Sequence, residues 1–176
     1  MDFSGFEVLI FAAGVAATLS GWGRLLSRTM WVRTELAPRW HVVVPLVAIA
    51  SVGTIVLAVV STLAASDVRS SGQYNLFYIV LGFGWTGVNL YALRWGFGLQ
   101  VADLTERRNP AAAVLLVTGS IASAFAYAGS NIGDGPGVHV VLFCAGLAHL
   151  TLCALVAVHA AFMHTSYRIL VDRDLG

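Results

Sequence analysis

The sequence predicts an all-α membrane protein with five transmembrane helices, its N-terminus outside and its C-terminus in the cytoplasm. Composition is the first reason: of the 176 residues 58% are hydrophobic and 11% are charged, and the mean hydropathy is +0.81. Such a chain has too little polar surface to cover a water-soluble domain of this length. The apolar residues also fall into runs of roughly 20 residues or more, the length that a helix needs to cross a bilayer.

Five apolar runs define the expected helices, which together form a single membrane domain over residues 1–176. They span residues 3–22, 41–65, 74–97, 111–132 and 138–163. The first run lacks the charged start and the cleavage site of a secretory signal, so we expect it to be retained as a helix. Asn109 and Pro110 are placed to begin the fourth helix, because asparagine caps backbone amides and proline suits a first turn.

Arginines set the predicted orientation, because positively charged loops stay on the cytoplasmic side. Nine of the ten basic residues lie on one side of the five-span pattern, and only Arg69 lies on the other. The expected cytoplasmic anchor consists of Arg24, Arg28, Arg33, Arg39, Arg107 and Arg108. Residues 23–40 mix apolar residues with four of these arginines, which suits a short interfacial helix over anionic lipid. The same residues also suit a plain anchor that recognises no particular lipid.

Small and polar residues mark the helix faces that we expect to point into the bundle. Plotted at about 100° per residue, the polar residues of the third and fifth runs fall into one stripe on each helix. These stripes supply the candidates for a polar path or an interface: Asn89, His149, Thr86, His139 and His164. Asn89 and His149 are expected to lie deepest, where a polar side chain either carries function or forms an interhelical hydrogen bond. The first run offers Ala13, Ala17 and Gly21 at a spacing that favours close helix crossing.

A faint internal repeat relates residues 34–97 to residues 105–163. The sequence Ile-Ala-Ser at 49–51 follows Pro38 and recurs at 121–123 after Pro110. The two copies would have the same orientation, so they would form a parallel repeat of the kind that some transporters contain. Chance matching in a sequence rich in Ala, Val and Ile also explains the similarity.

The connector between the fourth and fifth runs predicts a tight periplasmic turn. Its turn residues are Asn131, Gly133, Asp134 and Gly135. Glycine supplies the positive φ angles that such turns require. Asn131 and Asp134 would also suit a shallow cation-binding rim.

The segment 105–143 combines an Asn-x-Ala-Ala-Ala helix start at 109–113, a helix containing Gly119 and a Gly-Pro turn at 135–136. In these features it resembles the DUF350 family of small bacterial inner-membrane proteins. The resemblance is weak outside this segment, and members of the family usually have four helices, so a fifth helix is a departure. The resemblance implies a bacterial inner-membrane protein without an assigned enzymatic activity, with partners among envelope-stress proteins.

No feature of the sequence predicts an enzyme or a bound cofactor or metal. It contains no Gly-rich phosphate loop, no paired zinc-ligand spacing and no nucleophile elbow. It also contains no lysine, which excludes a retinal-type Schiff base. A net charge of +1, with the arginines at helix ends, gives no reason to expect nucleic acid as a partner.

We therefore expect a non-enzymatic membrane protein that acts as a small channel- or transporter-like subunit. Its expected partners are the lipid bilayer and either further copies of the chain or other membrane subunits. An accessory or structural subunit of a larger membrane complex is the alternative. A b-type haem electron-transfer subunit is a second alternative, because His41, His159 and His164 lie near the same face, although His149 has no histidine partner at its depth.

Overall fold

The computed structural model describes residues 3–30, 40–134 and 137–163, and these residues are mostly helical. In chain order the elements are α1 (Gly5–Thr18), a π-helical turn (Leu19–Gly23), α2 (Arg24–Met30), α3 (Trp40–Thr62), α4 (Ser66–Ser70), α5 (Gly72–Phe97), α6 (Val101–Thr105), α7 (Pro110–Gly129) and α8 (Val138–Met163). Within these residues the only β-type pairing is an isolated bridge between Ala64 and Gly133. The prediction of an all-α chain is confirmed for this part.

Five helical stretches are long and apolar enough to cross a membrane, as predicted. They are Gly5–Met30, Trp40–Thr62, Gly72–Phe97, Pro110–Gly129 and Val138–Phe162. Most bounds differ from the predicted ones by one to three residues. The end of the first span is the exception, since it was predicted at residue 22 and lies at Met30. The π-helical turn carries the helix from α1 into α2 and on to that residue. Residues 23–30 of the predicted interfacial helix therefore continue the first span, and its residues 31–39 lie outside the described part.

Local capping explains where several helices begin and end. Ser4 and Glu7 form a capping box at the start of α1. The predicted cap of α7 is confirmed, since Asn109 Oδ1 accepts hydrogen bonds from the backbone amides of Ala111 and Ala112 at 3.0 and 3.2 Å. Helix α5 ends at Phe97 and is capped by Gly98, whose φ of 72° is a conformation that glycine adopts without steric cost.

Helix α5 is the centre of the bundle, and α8 lies at its edge. Helices α1, α3 and α7 all pack against α5, while α8 packs mainly on α7. Half of the most apolar stretch of α5 and of α7 is buried, against 6% for α8. Helices α3 and α7 run in the same direction side by side, as a parallel repeat requires, but their partners α5 and α8 differ in burial. The repeat stays a prediction.

Helices α1 and α5 cross with their backbones in contact. A Cβ atom added to Gly84 would lie 2.7 Å from the carbonyl oxygen of Gly14, and one added to Gly87 would lie 2.8 Å from that of Ala17. Such small-residue contacts are the usual way in which membrane helices approach closely. Ala17 and Gly21 are at this crossing, as the sequence predicts, but Ala13 is exposed and Gly14 takes its place.

Charged residues of the described part are divided between the two ends of the bundle. We call the end of the bundle where α5 finishes and α7 begins the basic end. It carries Arg24, Arg28, Arg94, Arg107 and Arg108 with Asp103 and Glu106. The opposite end, here the acidic end, carries Glu7, Asp67 and Asp134 with Arg69. The middle of each span is therefore free of charged side chains within the described residues.

Candidate functional site

Thr86 and Asn89 are buried polar residues one turn apart on α5, with exposed fractions of 0% and 5%. The hydroxyl oxygen of Thr86 accepts a hydrogen bond from Trp22 Nε1 at 3.2 Å, which links α5 to the π-helical turn. Asn89 Nδ2 donates to the carbonyl oxygen of Gly119 at 3.1 Å, which links α5 to α7. Each polar group therefore joins α5 to a neighbouring helix, as polar residues in membrane bundles commonly do.

A cavity of about 540 Å³ lies beside Asn89, between α5, α7 and α8, and we call it the Asn89 cavity. Its walls include Leu93 and Phe97 on α5, Thr118 and Ala122 on α7, and Cys153 and Ala160 on α8. The residues from Asn89 to Phe97 cover about 12 Å of helix. The cavity therefore extends from the middle of the bundle toward the basic end.

Asn89 supplies the polar part of this cavity. The hydroxyl of Thr118 also lines it, but donates to the carbonyl oxygen of Val114 in its own helix at 2.7 Å. Asn89 Oδ1 accepts no hydrogen bond from any residue that the structure describes. With its Nδ2 held by Gly119, the amide of Asn89 has a defined orientation and an oxygen that is free to accept a hydrogen bond.

His149 lies in a different environment, packed edge-on against Trp85 with the ring centroids 5.9 Å apart. Trp85 in turn lies 6.3 Å from Tyr127, measured between ring centroids. The buried atoms His149 Nδ1 and Trp85 Nε1 both lack a hydrogen-bond partner among the residues described. The rings lie about one turn from Asn89, on the side of the acidic end. The sequence grouped Asn89 with His149, and the structure places only Asn89 in the cavity wall.

The other histidines are spread over the chain. His139 is exposed in the first turn of α8, so within a single chain it does not face the bundle, and His164 lies outside the described residues. His41 is buried at the start of α3, and His159 is exposed on α8. In the part of the chain that the structure describes, no three His, Cys, Asp or Glu side chains are close enough to hold a metal ion.

The turn between α7 and α8 is held by hydrogen bonds to two other segments. Asn131 is buried, and its Nδ2 donates to the carbonyl oxygen of Tyr127 at 2.9 Å at the end of α7. Gly133 has a φ of 91° and donates its amide to Leu63 at 3.0 Å. Asp134 Oδ1 accepts from the amide of Ser66 at 3.3 Å. The turn therefore ties the α7–α8 connection to the α3–α4 connection, while the predicted turn residue Gly135 lies outside the described residues.

Three arginines line a second cavity, of about 330 Å³, at the basic end, and we call it the arginine cavity. Arg24 and Arg28 come from α2, and Arg94 comes from the last turn of α5. The sequence places Arg94 on the same side of the membrane as these two residues but does not show that it meets α2. Arg33 and Arg39 lie outside the described residues.

Arg107 and Arg108 do not line the arginine cavity. Arg107 forms an ion pair of 2.8 Å with Asp103, whose side chain is fully buried. Arg108 is exposed and has a φ of 49°. Sequence reasoning missed the buried carboxylate, although the spacing of Asp103 and Arg107 on neighbouring helix turns is one that favours ion pairs.

No protein-family model, no curated protein and no solved structure matches this chain. The resemblance to the DUF350 family therefore stays a prediction that rests on the motifs of 105–143. The structure gives several of those motif positions a role within the bundle. Asn109 caps α7, Gly119 accepts the hydrogen bond of Asn89, and Gly133 forms the turn before α8.

Proposed function

We propose that the chain is a non-enzymatic membrane protein that acts as a small transporter- or channel-like subunit for small neutral polar solutes. The observation that carries this proposal is the position of Asn89 in the wall of the Asn89 cavity. An uncharged amide that can donate and accept hydrogen bonds suits a neutral solute better than an ion. A volume of about 540 Å³ lies within the range of small-molecule sites.

The placement of the cavity along the bundle supports a transporter-like role. The cavity extends toward the basic end along α5 and α8, while the contacting rings of Trp85, His149 and Tyr127 lie on the other side of Asn89. Among the α8 side chains that the structure describes, the buried ones, Val138 and Ala145, lie in its half near the acidic end. Alternating access requires a site that can be open to one side and closed to the other. The different packing on the two sides of Asn89 suits such a site.

The proposed setting is a bacterial inner membrane, with the basic end in the cytoplasm. Support comes from the charge distribution, since five arginines lie at the basic end and one lies at the acidic end of the described part. Arginine-rich connectors are retained on the cytoplasmic side during insertion. In this orientation the Asn89 cavity extends toward the cytoplasm.

Solute flux into proteoliposomes tests the proposal. We expect the purified protein to accelerate the entry of glycerol or urea, measured by stopped-flow light scattering, relative to empty vesicles. Asn89→Leu should remove this acceleration, because the cavity then offers no polar group that is free to bind the solute. Thr118→Val is the matched control and should retain it, since the Thr118 hydroxyl already bonds within its own helix.

Two results would contradict the proposal. One is a wild-type rate equal to that of empty vesicles for both solutes. The other is an undiminished rate for Asn89→Leu in protein that elutes from size exclusion as the wild type does.

The α8 surface favours a second candidate function, that of an accessory subunit in a larger membrane complex. The half of α8 near the basic end exposes Cys153, Ala157 and His159. Small and polar residues are more typical of helix interfaces than of lipid-facing surfaces. In a Cys144→Ser variant, oxidative cross-linking through Cys153 in membranes would report a neighbouring copy or subunit. A monomeric product with no cross-linked partner would count against this candidate.

A further inference from the structure

The arginine cavity brings together positive charges from two helices that are far apart in sequence. Arg24 and Arg28 lie one turn apart on α2, and Arg94 reaches the same cavity from α5. Like charges at this helical spacing repel one another, and a bound anion would remove that repulsion. Convergence on one cavity distinguishes these three arginines from Arg107 and Arg108 at the same end.

No acidic side chain of the described residues compensates these charges. The one ion pair among the described residues joins Arg107 to Asp103. Arg24 Nη1 instead donates to the hydroxyl oxygen of Tyr91 at 3.4 Å, and that hydroxyl donates to the carbonyl oxygen of Ser20 at 2.9 Å. These neutral contacts orient Arg24 and leave its charge available to a ligand.

The depth of the cavity matches the head-group layer of a membrane. Arg28 and Arg94 lie in the last turns of α2 and α5, at the ends of helical stretches long and apolar enough to cross a membrane. Beside Arg94, the indole of Trp95 is 83% exposed, which is typical of a tryptophan anchored at the membrane interface. The same cavity has Leu25, Leu90 and Leu116 in its wall. An occupant therefore meets both guanidinium groups and apolar side chains in the cavity wall.

We propose that the arginine cavity binds the phosphate head group of an anionic phospholipid, with the first part of the acyl chains against the leucines. Arginine binds phosphate oxygens through two parallel N–H donors, which gives strong and oriented hydrogen bonds. The leucine wall favours a lipid over free phosphate, since an inorganic ion would leave it in contact with water. This inference concerns a different cavity from the Asn89 cavity and does not depend on solute transport.

Native mass spectrometry of the purified protein tests the proposal. The protein is incubated in mild detergent with equal amounts of dioleoyl phosphatidylglycerol and dioleoyl phosphatidylcholine, which differ only in the head group. We expect the wild type to retain phosphatidylglycerol in preference. Each of Arg24→Gln, Arg28→Gln and Arg94→Gln should reduce that retention about tenfold, because each removes charge-assisted hydrogen bonds to the phosphate. Arg108→Gln is the matched control, because it removes the same charge from the same end outside the cavity.

The outcomes separate a built site from general attraction and from free phosphate. Equal losses for Arg108→Gln and the three cavity variants would overturn the proposal in favour of a diffuse positive surface. A second contrary result is displacement of phosphatidylglycerol by millimolar inorganic phosphate or glycerol phosphate, but not by sodium chloride at the same ionic strength. That result would overturn the lipid proposal and show that the cavity binds free phosphate. Circular dichroism spectra of the arginine variants that match the wild-type spectrum would show that the loss of phosphatidylglycerol is not caused by unfolding.

Discussion

The backbones of Gly21 in the π-helical turn and Gly87 on α5 are in contact, and this contact sets how closely the first span approaches the centre of the bundle. A Cβ atom added to Gly21 would lie 2.7 Å from the Cα of Gly87, closer than Cβ atoms come to other atoms in proteins. Neither helix can relieve the clash by rotating a side chain, because the position of a Cβ atom is fixed by its own backbone and the Cα of Gly87 is a backbone atom.

Gly21→Ala should therefore destabilise the protein. We expect a loss of about 1–3 kcal/mol, the usual cost of forcing an extra carbon into a packed contact, measured by thermal unfolding in detergent. Gly23→Ala is the control, since Gly23 lies in the same π-helical turn and a Cβ atom added to it would have no atom of another segment within 4 Å. A Gly21→Ala protein as stable as Gly23→Ala would show that the two helices are farther apart than described.

A second prediction concerns Tyr127, which is fully buried on α7. Its hydroxyl donates to the carbonyl oxygen of Tyr78 on α5 at 2.8 Å. Tyr127→Phe should cost about 1 kcal/mol in unfolding free energy, because the hydrogen bond that joins α7 to α5 is lost. Tyr74→Phe should cost less than about 0.5 kcal/mol, since the Tyr74 hydroxyl is 3.4 Å from Glu7 near the surface. Equal effects of the two variants would contradict this ranking.

A third prediction concerns the start of α7. Asn109→Ala removes the oxygen that caps the amides of Ala111 and Ala112 and should destabilise the protein by about 1–2 kcal/mol. Asn109→Ser retains an acceptor for the same amides and should lose less. The two variants can be ranked by chemical denaturation of the detergent-solubilised protein, and a serine variant no more stable than the alanine variant would argue against capping as the cause.

The positions of the spans could be read from the sequence because a helix in lipid must satisfy all of its backbone hydrogen bonds within itself. An apolar run and its helix therefore end close together. The third run illustrates this, since it was predicted to end at residue 97 and α5 ends at Phe97. The π-helical turn was not predictable in the same way, because nothing in the apolar pattern of 19–30 distinguishes a continued span from a separate interfacial helix.

The partners of each helix face could not be read from the sequence. Helical periodicity places His139 on one stripe with His149, but in the structure His139 is exposed although its neighbour Val138 is buried, and His149 contacts Trp85. The arginine cavity could not be predicted from the sequence for the same reason. Arg24 and Arg94 are assigned to the same end by charge alone, and only the packing of the π-helical turn on α5 shows that they share a cavity.

The orientation of the bundle is the fourth prediction, and it can be tested with single cysteines. Ser70 is exposed at the acidic end and Glu106 is exposed at the basic end. In a variant with Cys144→Ser and Cys153→Ser, we introduce either Ser70→Cys or Glu106→Cys and treat intact bacterial cells with a membrane-impermeant maleimide. The positive-inside rule predicts labelling at position 70 only, because the arginine-rich connectors resist translocation.

Detergent-solubilised protein provides the control, since both cysteines should then react and show that neither position is shielded by folding. Labelling of Glu106→Cys alone in intact cells would reverse the assignment and direct the Asn89 cavity away from the cytoplasm. Equal labelling of both would mean that the chain inserts in two orientations. That result would show that nine arginines on the predicted cytoplasmic side against one on the other are too small a difference to select one orientation.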